Sequence, residues 1–204
     1  MVREGFKGQI ERGQSILSRS LMDRNTDSGG AMIPQPYRHG TIEQEAFADY
    51  MRRWPTKFAH VPEVVIETWM YRHWNDFQAW LPIDPLSWEY AVVSLSNEEI
   101  MQIGHVSDWP TTLEYWGNDL LDGKARKNTW LGGYILDSGT TPAPIIVALN
   151  AGSYVHPREH ENMCTPYQLI EGHLRLAYLQ GLIRRKHENL QPLHTVVVAR
   201  LSVR

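Results

Sequence analysis

Residues 167–185 read YQLIEGHLRLAYLQGLIRR, and this stretch decides the fold. Its opening apolar run is typical of a buried strand, whereas the apolar residues after Gly172 recur at helical spacing. A glycine at this change of spacing marks the junction between the two elements. The stretch therefore predicts a strand over 167–170, a turn at Glu171 and Gly172, and a helix over 174–185.

Outward from this junction, three more runs are rich in β-branched and aromatic residues and predict strands. They are 88–95 (WEYAVVSL), 144–149 (PIIVAL) and 195–201 (TVVVARL). Two helical pieces are predicted over 111–134, divided at Asp122 and Gly123. This order of elements predicts an α/β or α+β unit on a small mixed sheet over residues 86–204.

Residues 41–85 predict a helical extension in front of that unit. Thr41 and Gln44 fit a capping box at the start of a first helix, which Pro55 ends. A second helix is predicted over 62–81, because apolar residues recur there at three- and four-residue steps.

The chain has 8 tryptophans, all between positions 54 and 130. Their helical spacing within 69–80 predicts a core or a subunit interface. A stacking platform for bases is the alternative. Any Trp that proves exposed would mark the helices over 41–81 as a surface for a protein partner or a second copy of the chain.

The first 40 residues combine Arg, Asp, Ser, Gly and Pro, and NTDSGG at 25–30 forms a break. We expect a flexible arm over 1–40 with at most a short helix at 9–20. An interaction arm that becomes ordered against a partner is the alternative.

The chain contains 1 cysteine in 204 residues, which excludes an internal disulfide framework and a Cys-rich zinc site. Apolar runs such as IIVAL at 145–149 are far shorter than the roughly 20 residues that span a bilayer. The N-terminus lacks the apolar core of a signal peptide. We therefore expect a cytoplasmic protein with no membrane contact.

The net charge of −3 is unevenly distributed. Residues 37–155 carry 8 Lys/Arg against 15 Asp/Glu, whereas residues 156–204 carry 7 against 4. An acidic body is a poor partner for a phosphate backbone, and the helices over 41–81 lack the positive face of a recognition helix. DNA binding is thus disfavoured, whereas a small phosphorylated ligand on the basic part is compatible with this pattern.

The five residues EGHLR at 171–175 suit phosphate binding, because the start of a helix carries unpaired amides and the positive end of its dipole. Gly172 lets a ligand approach the backbone closely. His173 can donate to a phosphate or shuttle a proton, and Arg175 offers a bidentate contact. Glu171 can accept from a ribose or from Arg175. The alternative is an ordinary turn with a capping glycine and surface side chains.

The run over 167–182 resembles the signature of the ParB/sulfiredoxin superfamily, which reads as an apolar strand, Gly-x-x-Arg, and an alanine-containing helix ending in glycine. The resemblance extends over about 86–204. It implies the fold of that superfamily and a nucleotide held at the Gly-x-x-Arg helix start, with Gly172 and Arg175 at the phosphate-binding positions. Relatives include CTP-dependent partition proteins, ATP-using sulfiredoxins and a nucleotide-dependent free-serine kinase.

Two departures from the family pattern limit the activity that the resemblance implies. His173 replaces the catalytic cysteine of sulfiredoxins, and Cys164 lies nine residues earlier, so sulfinic-acid reduction is excluded. Leu174 stands where relatives carry a second Arg or His. By analogy with kinase-like relatives, His173 and Glu98 are candidate catalytic residues. For Glu98 the alternative is an acidic residue that stabilises the start of a helix.

The resemblance therefore implies a protein that binds a nucleoside triphosphate, ATP or CTP, with Mg²⁺. Nucleotide hydrolysis, transfer of a phosphoryl group to a small molecule, and use of the nucleotide as a switch all stay open. The alternative is a regulatory or DNA-associated adaptor with a vestigial pocket, which would act through the N-terminal helices.

The loop HPREHEN at 156–162 precedes the phosphate motif and predicts rim contacts from His156, Arg158 and His160. Two histidines four residues apart would share one face of a helix and bind zinc. Pro157 and the lack of a third ligand argue against a metal there. A solvated loop is the alternative.

Overall fold

A five-stranded mixed sheet lies at the centre of the computed structural model, which describes residues 33–201. The strands are β1 (Glu89–Ser96), β2 (Ile103–Gly104), β3 (Ile145–Leu149), β4 (Tyr167–Glu171) and β5 (Leu193–Arg200). Their order across the sheet is β1-β5-β3-β4-β2. The predicted mixed α/β unit is confirmed, and β2 is a strand that the sequence pattern did not predict.

The strand directions decide which ends of the five strands meet at one edge of the sheet. β1 runs antiparallel to β5, β5 parallel to β3, β3 antiparallel to β4, and β4 parallel to β2. The carboxyl ends of β1, β2 and β4 therefore meet the amino ends of β3 and β5. The strand–glycine–helix junction after β4 opens at this edge.

Seven α-helical segments are present within residues 33–201. They are α1 (Phe47–Arg52), α2 (Glu63–Val65), α3 (Trp74–Gln78), α4 (Asn97–Ile100), α5 (Trp109–Asp122), α6 (Trp130–Ser138) and α7 (His173–Arg185). A π-helical turn spans Ile66–Tyr71, and three 3-10 turns span Thr56–Phe58, Leu81–Ile83 and Pro85–Ser87. As predicted, α5 and α6 are separate helices, with Gly123 at the end of α5.

Helices cover both faces of the sheet, because side chains that alternate along each strand enter different cores. Ile146 of β3 and Val197 of β5 pack with α1–α3, whereas Ile145 and Val196 pack with α5–α7. The segment before β1 therefore shares a core with the sheet, and both lie in one compact unit over 33–204. We call residues 41–85 the helical cover, because their helices lie over one face of the sheet.

Tryptophans supply much of the core beneath this cover. Trp69, Trp74, Trp80 and Trp88 are each at most 5% exposed. The Trp69 ring lies edge-on to the Trp80 ring at 5.8 Å and stacks against Trp88 at 6.2 Å. For these side chains the prediction of a core is confirmed.

The predicted start of the first helix is wrong. Thr41 lies in a turn, where its hydroxyl donates to the Arg38 carbonyl at 2.8 Å and accepts from the Glu43 amide at 3.2 Å. The Gln44 side chain accepts from the Gly40 amide at 3.0 Å instead of capping a helix. Local side-chain bonds of this kind compete with helix formation, and α1 begins only at Phe47.

The predicted helix over 62–81 is helical but interrupted. It starts at Glu63, one residue later than predicted, because Pro62 is the N-cap with a non-helical ψ of 138°. The helix then widens into the π-helical turn and breaks at His73, whose φ of −120° and ψ of 44° are not helical. The Thr68 hydroxyl donates to the Val64 carbonyl at 2.6 Å within this stretch. Because π-helical turns often mark functional sites, the break at Arg72 and His73 is a feature of interest.

Of the predicted arm, residues 1–32 lie outside the described residues, as does the short helix at 9–20. Ile33, where the description begins, is 7% exposed and packs in the core beneath the helical cover. Over residues 33–201, no helix combines the length and apolar character needed to cross a membrane.

Candidate functional site

A cavity of about 830 Å³ opens at the edge of the sheet where β4 ends, beneath α3 and beside the start of α7. All five residues of the 171–175 motif line it. His156 and Arg158 of the loop before β4 also line it, together with Arg72, His73 and Asp76 of the helical cover. The structure thus brings the predicted phosphate motif and two predicted rim residues into one site.

Gly172 makes the turn between β4 and α7 possible. Its φ of +102° lies in the left-handed region, and a Cβ at this position would stand 3.0 Å from Nε of Arg175. The first backbone hydrogen bond of α7 runs from the Leu176 amide to the Gly172 carbonyl at 2.8 Å. The amides of His173, Leu174 and Arg175 therefore have no partner within the helix.

The Arg175 side chain is almost buried but poorly paired. It is 13% exposed, and its Nη2 lies 3.6 Å from Oε1 of Glu171. Burial lowers the pKa of the Arg175 guanidinium and raises the pKa of the Glu171 carboxyl, so this ion pair does not offset the cost of burying the two groups. Arg175 makes no hydrogen bond to any residue within 33–201, and its donors face the cavity.

A chain of polar side chains lines the cavity. Nε2 of His73 lies 3.7 Å from Oε1 of Glu171, and its Nδ1 lies 3.8 Å from Oδ2 of Asp76. Nη2 of Arg158 donates to Oδ1 of Asp76 at 2.7 Å. These contacts connect the end of β4, α3 and the loop over 156–162, and they place Arg158 at the rim.

Three histidines form one wall of the cavity. The His105 ring lies 5.1 Å from the His156 ring and 5.2 Å from the His173 ring. Nδ1 of His156 accepts from the amides of Arg158 at 3.4 Å and Glu159 at 3.2 Å, so the proton of this imidazole resides on Nε2. His156 is thereby part of the buried wall, at 3% exposed, and not of the rim.

Burial keeps these histidines neutral. It lowers the pKa of His156 to about 4 and that of His173 to about 3, and it also lowers the pKa of His105. At neutral pH, His173 therefore offers one N–H donor and one lone pair rather than a positive charge. Its predicted ability to donate to a phosphate fits this state, whereas a role as a cation does not.

Flat aromatic rings complete the walls. Trp109 lies 4.5 Å from the His173 ring, Trp80 lies 4.9 Å from the His156 ring, and Trp116 lies edge-on to Trp109 at 5.9 Å. Rings at these distances and angles form an apolar, polarizable surface that suits a planar heterocycle.

The structure does not bring Glu98 or His160 to the cavity. Glu98 is exposed on α4 after β1, and β5 and β3 separate that strand from β4. Its neighbour Glu99 completes a capping box with Ser96, which agrees with the alternative role of acidic residues at a helix start. His160 is exposed and does not line the cavity.

Several site residues could not be recognised in the sequence. His73 fell on the apolar face of a continuous predicted helix, and the break that turns it toward β4 left no sequence signal. His105 follows β2, which has only 2 residues. Asp76 lies on the same predicted helix, where an acidic residue carries no sign of a site. For these residues, the three-dimensional path of the chain decides the role.

The arrangement provides separate surfaces for an anion and for a planar ring. The amides at the start of α7 and the Arg175 guanidinium are grouped together, and the rings of His173, Trp109 and Trp80 also line the cavity. No group of three or more His, Cys, Asp or Glu side chains within the described part of the chain is placed to hold a metal ion. The chain matches no protein-family model, no curated protein and no solved structure.

Proposed function

We propose that this cavity binds a nucleoside triphosphate, ATP or CTP, with its phosphates at the start of α7. The observation that carries the proposal is the group of donors there, namely three helix amides and the Arg175 guanidinium, for which residues 33–201 provide no hydrogen-bond acceptor. Arg175 is buried 3.6 Å from the Glu171 carboxylate and makes no hydrogen bond to residues 33–201. A phosphate that enters the cavity would therefore give Arg175 a stronger partner.

The aromatic walls support the nucleoside part of the proposal. Trp109 and His173 present neighbouring rings beside the phosphate site, and a base stacked on such rings gains about 1–3 kcal/mol. We further propose that the domain is of the ParB/sulfiredoxin type. A strand that ends in Gly-x-x-Arg, with the glycine in the left-handed region and a helix directly after it, supports that assignment.

The charges of the wall are balanced rather than positive. Three arginines line the cavity, and so do four carboxylates: Glu67, Asp76, Glu159 and Glu171. A bare triphosphate would be repelled by these carboxylates, so we propose that it enters with Mg²⁺. This ion typically takes one or two protein carboxylates and several phosphate oxygens, which fits Asp76 at the mouth of the cavity. Bound there, Mg²⁺ would neutralise phosphate charge.

We propose nucleotide binding at this cavity and assign no turnover step to it. The predicted acidic base Glu98 lies elsewhere, and the low pKa of His173 makes it a weak proton acceptor. Hydrolysis or phosphoryl transfer by this site would need a different base, and Asp76 is an exposed carboxylate that lines the cavity. The adaptor alternative gains no support from the helical cover, because the apolar side chains of α2 and α3 are buried against the sheet.

A thermal-shift screen tests the proposal. The full chain is heated with ATP, CTP, GTP, UTP and the matching diphosphates, each with Mg²⁺, and with sodium sulfate at equal ionic strength as the control. A nucleotide at 100 times its Kd adds about 2.7 kcal/mol, which raises Tm by roughly 5–10 °C in a chain of this size. If no nucleotide raises Tm above the sulfate control, the proposal is wrong.

A further inference from the structure

A pair of aromatic side chains stands exposed beside the cavity. Trp130 is 73% exposed and Tyr134 is 40% exposed, although both are large and partly apolar. They lie one turn apart on α6, and their ring centroids are 5.7 Å apart with an angle of 34° between the planes. Trp130 contrasts with the buried tryptophans of the helical cover, and together with Tyr134 it forms an exposed aromatic patch of the kind that marks interaction sites.

Two lysines flank this pair. Lys124 and Lys127 lie in the loop between α5 and α6, and both are exposed. The loop folds onto α6, because the Thr129 hydroxyl donates to the Arg126 carbonyl at 2.7 Å and accepts from the Gly132 amide at 3.0 Å. The start of α6 thus carries the aromatic rings and the lysines together.

The acidic residues nearest in sequence do not neutralise these lysines. Asp119 is paired with Arg126 at 2.6 Å, and Asp122 is paired with Arg185 at 2.8 Å. Neither lysine forms an ion pair with any residue that the structure describes. The loop therefore presents two uncompensated positive charges on a chain that is acidic as a whole.

This surface is continuous with the candidate nucleotide site. Trp130 and Leu174 both line the cavity, and Leu174 is the second residue of α7. In the same lining, the Trp116 ring lies 5.9 Å from the Trp109 ring, and the Trp109 ring lies 4.5 Å from the His173 ring. The exposed Trp130 thus lines the same cavity as Trp116, Trp109 and His173.

We propose that Trp130, Tyr134, Lys124 and Lys127, together called the aromatic strip, bind a single strand of nucleic acid whose terminal nucleotide occupies the cavity. This inference rests on the proposed function, since it extends the same ligand outward. Successive bases stack on the exposed rings while the lysines contact the phosphates, a combination typical of sites for single strands. Paired bases of a duplex do not offer their faces to such rings. In a two-fold dimer built on this strip, the same unpaired lysines of both copies would face each other and repel, which favours a nucleic-acid strand as the occupant.

Fluorescence anisotropy of labelled ten-nucleotide strands tests the inference, with oligo(dT) and oligo(rU) as separate arms and a duplex of equal length as a third. We expect a single strand to bind more tightly than a mononucleotide and than the duplex. Trp130→Ala should weaken single-strand binding about 5- to 100-fold. Tyr115→Ala removes an aromatic side chain that is 64% exposed on α5, outside the cavity lining, and serves as the matched control.

The double variant Lys124→Gln/Lys127→Gln tests the aromatic strip independently of the cavity. It should weaken strand binding and reduce the salt slope by about 1.4, while the thermal shift with mononucleotides stays unchanged. Mononucleotide binding without tighter strand binding overturns the strip and leaves the proposed function intact. Strand binding that these variants weaken, without any mononucleotide shift, supports the strip and overturns the proposed function. If Trp130→Ala instead dissociates a dimer in sedimentation and leaves strand binding unchanged, the strip is an interface between copies.

Discussion

Arg175→Ala weakens nucleotide binding by about a hundredfold, which corresponds to roughly 3 kcal/mol and to the loss of charge-assisted hydrogen bonds to a phosphate. The effect is large because Arg175 makes no hydrogen bond to any residue within 33–201, and its ion pair with Glu171 is long at 3.6 Å. Its guanidinium stands over Gly172, with Nε 3.0 Å from the position of a Cβ. Isothermal titration of the wild-type and variant chains with Mg²⁺–ATP and Mg²⁺–CTP measures the loss.

Arg175→Ala also leaves Glu171 buried with only His73 nearby, so lower stability is a competing explanation. Arg175→Lys tests this explanation, because lysine keeps the positive charge but lacks the planar guanidinium group. We expect about tenfold weaker nucleotide binding in a folded protein. Arg185→Ala removes an exposed arginine from the last turn of the same helix and should leave affinity unchanged. Equal affinity in wild type and Arg175→Lys would contradict a bidentate phosphate contact.

Acidification from pH 7.5 to pH 4.5 lowers the free energy of unfolding by as much as roughly 5 kcal/mol, because two buried histidines resist protonation. Their pKa values in the folded chain are about 4 for His156 and about 3 for His173, against 6.5 ordinarily. At pH values between the folded pKa values and 6.5, the unfolded chain binds more protons than the folded chain. The free energy of unfolding is therefore greatest above about pH 6.5 and decreases as the pH falls. Glu171 acts in the opposite direction, since its raised pKa lets the folded chain take up a proton first.

Urea unfolding at several pH values between 7.5 and 4.5 measures this slope. His156→Gln should reduce the acid-induced loss by about half, because the glutamine oxygen can accept from the amides of Arg158 and Glu159 without titrating. His160→Asn is the control from the same loop, since His160 is exposed and its φ of +59° is tolerated by asparagine. A free energy of unfolding that does not change between pH 7.5 and 4.5 would show that the histidines are not held neutral.

Much of the sheet could be predicted because its strands are long apolar runs. β3 and β5 each contain at least four consecutive buried residues, so their sequences show continuous β-branched and aliphatic stretches. The junction after β4 was equally visible, because only glycine adopts the required φ of +102° readily. These features depend on residues that are neighbours in the sequence, so they can be predicted from it.

Features that depend on distant contacts were missed or misplaced. α1 starts six residues after Thr41, because side-chain bonds in the preceding turn satisfy the groups that a capping box would use. The helix break that brings His73 within 3.7 Å of Glu171 reflects packing on the sheet, not the local pattern. The helical cover was expected as an extension in front of the α/β unit, and nothing in its sequence predicted that it supplies Arg72, His73 and Asp76 to the cavity.

Amide NMR of the ¹⁵N-labelled chain during a titration with Mg²⁺–nucleotide examines the phosphate site atom by atom. The largest shift changes should occur at the amides of His173, Leu174 and Arg175 and at Nε–H of Arg175, with smaller changes at the Trp109 indole. Binding that leaves these four N–H groups unchanged while others shift would contradict phosphate binding at the start of α7.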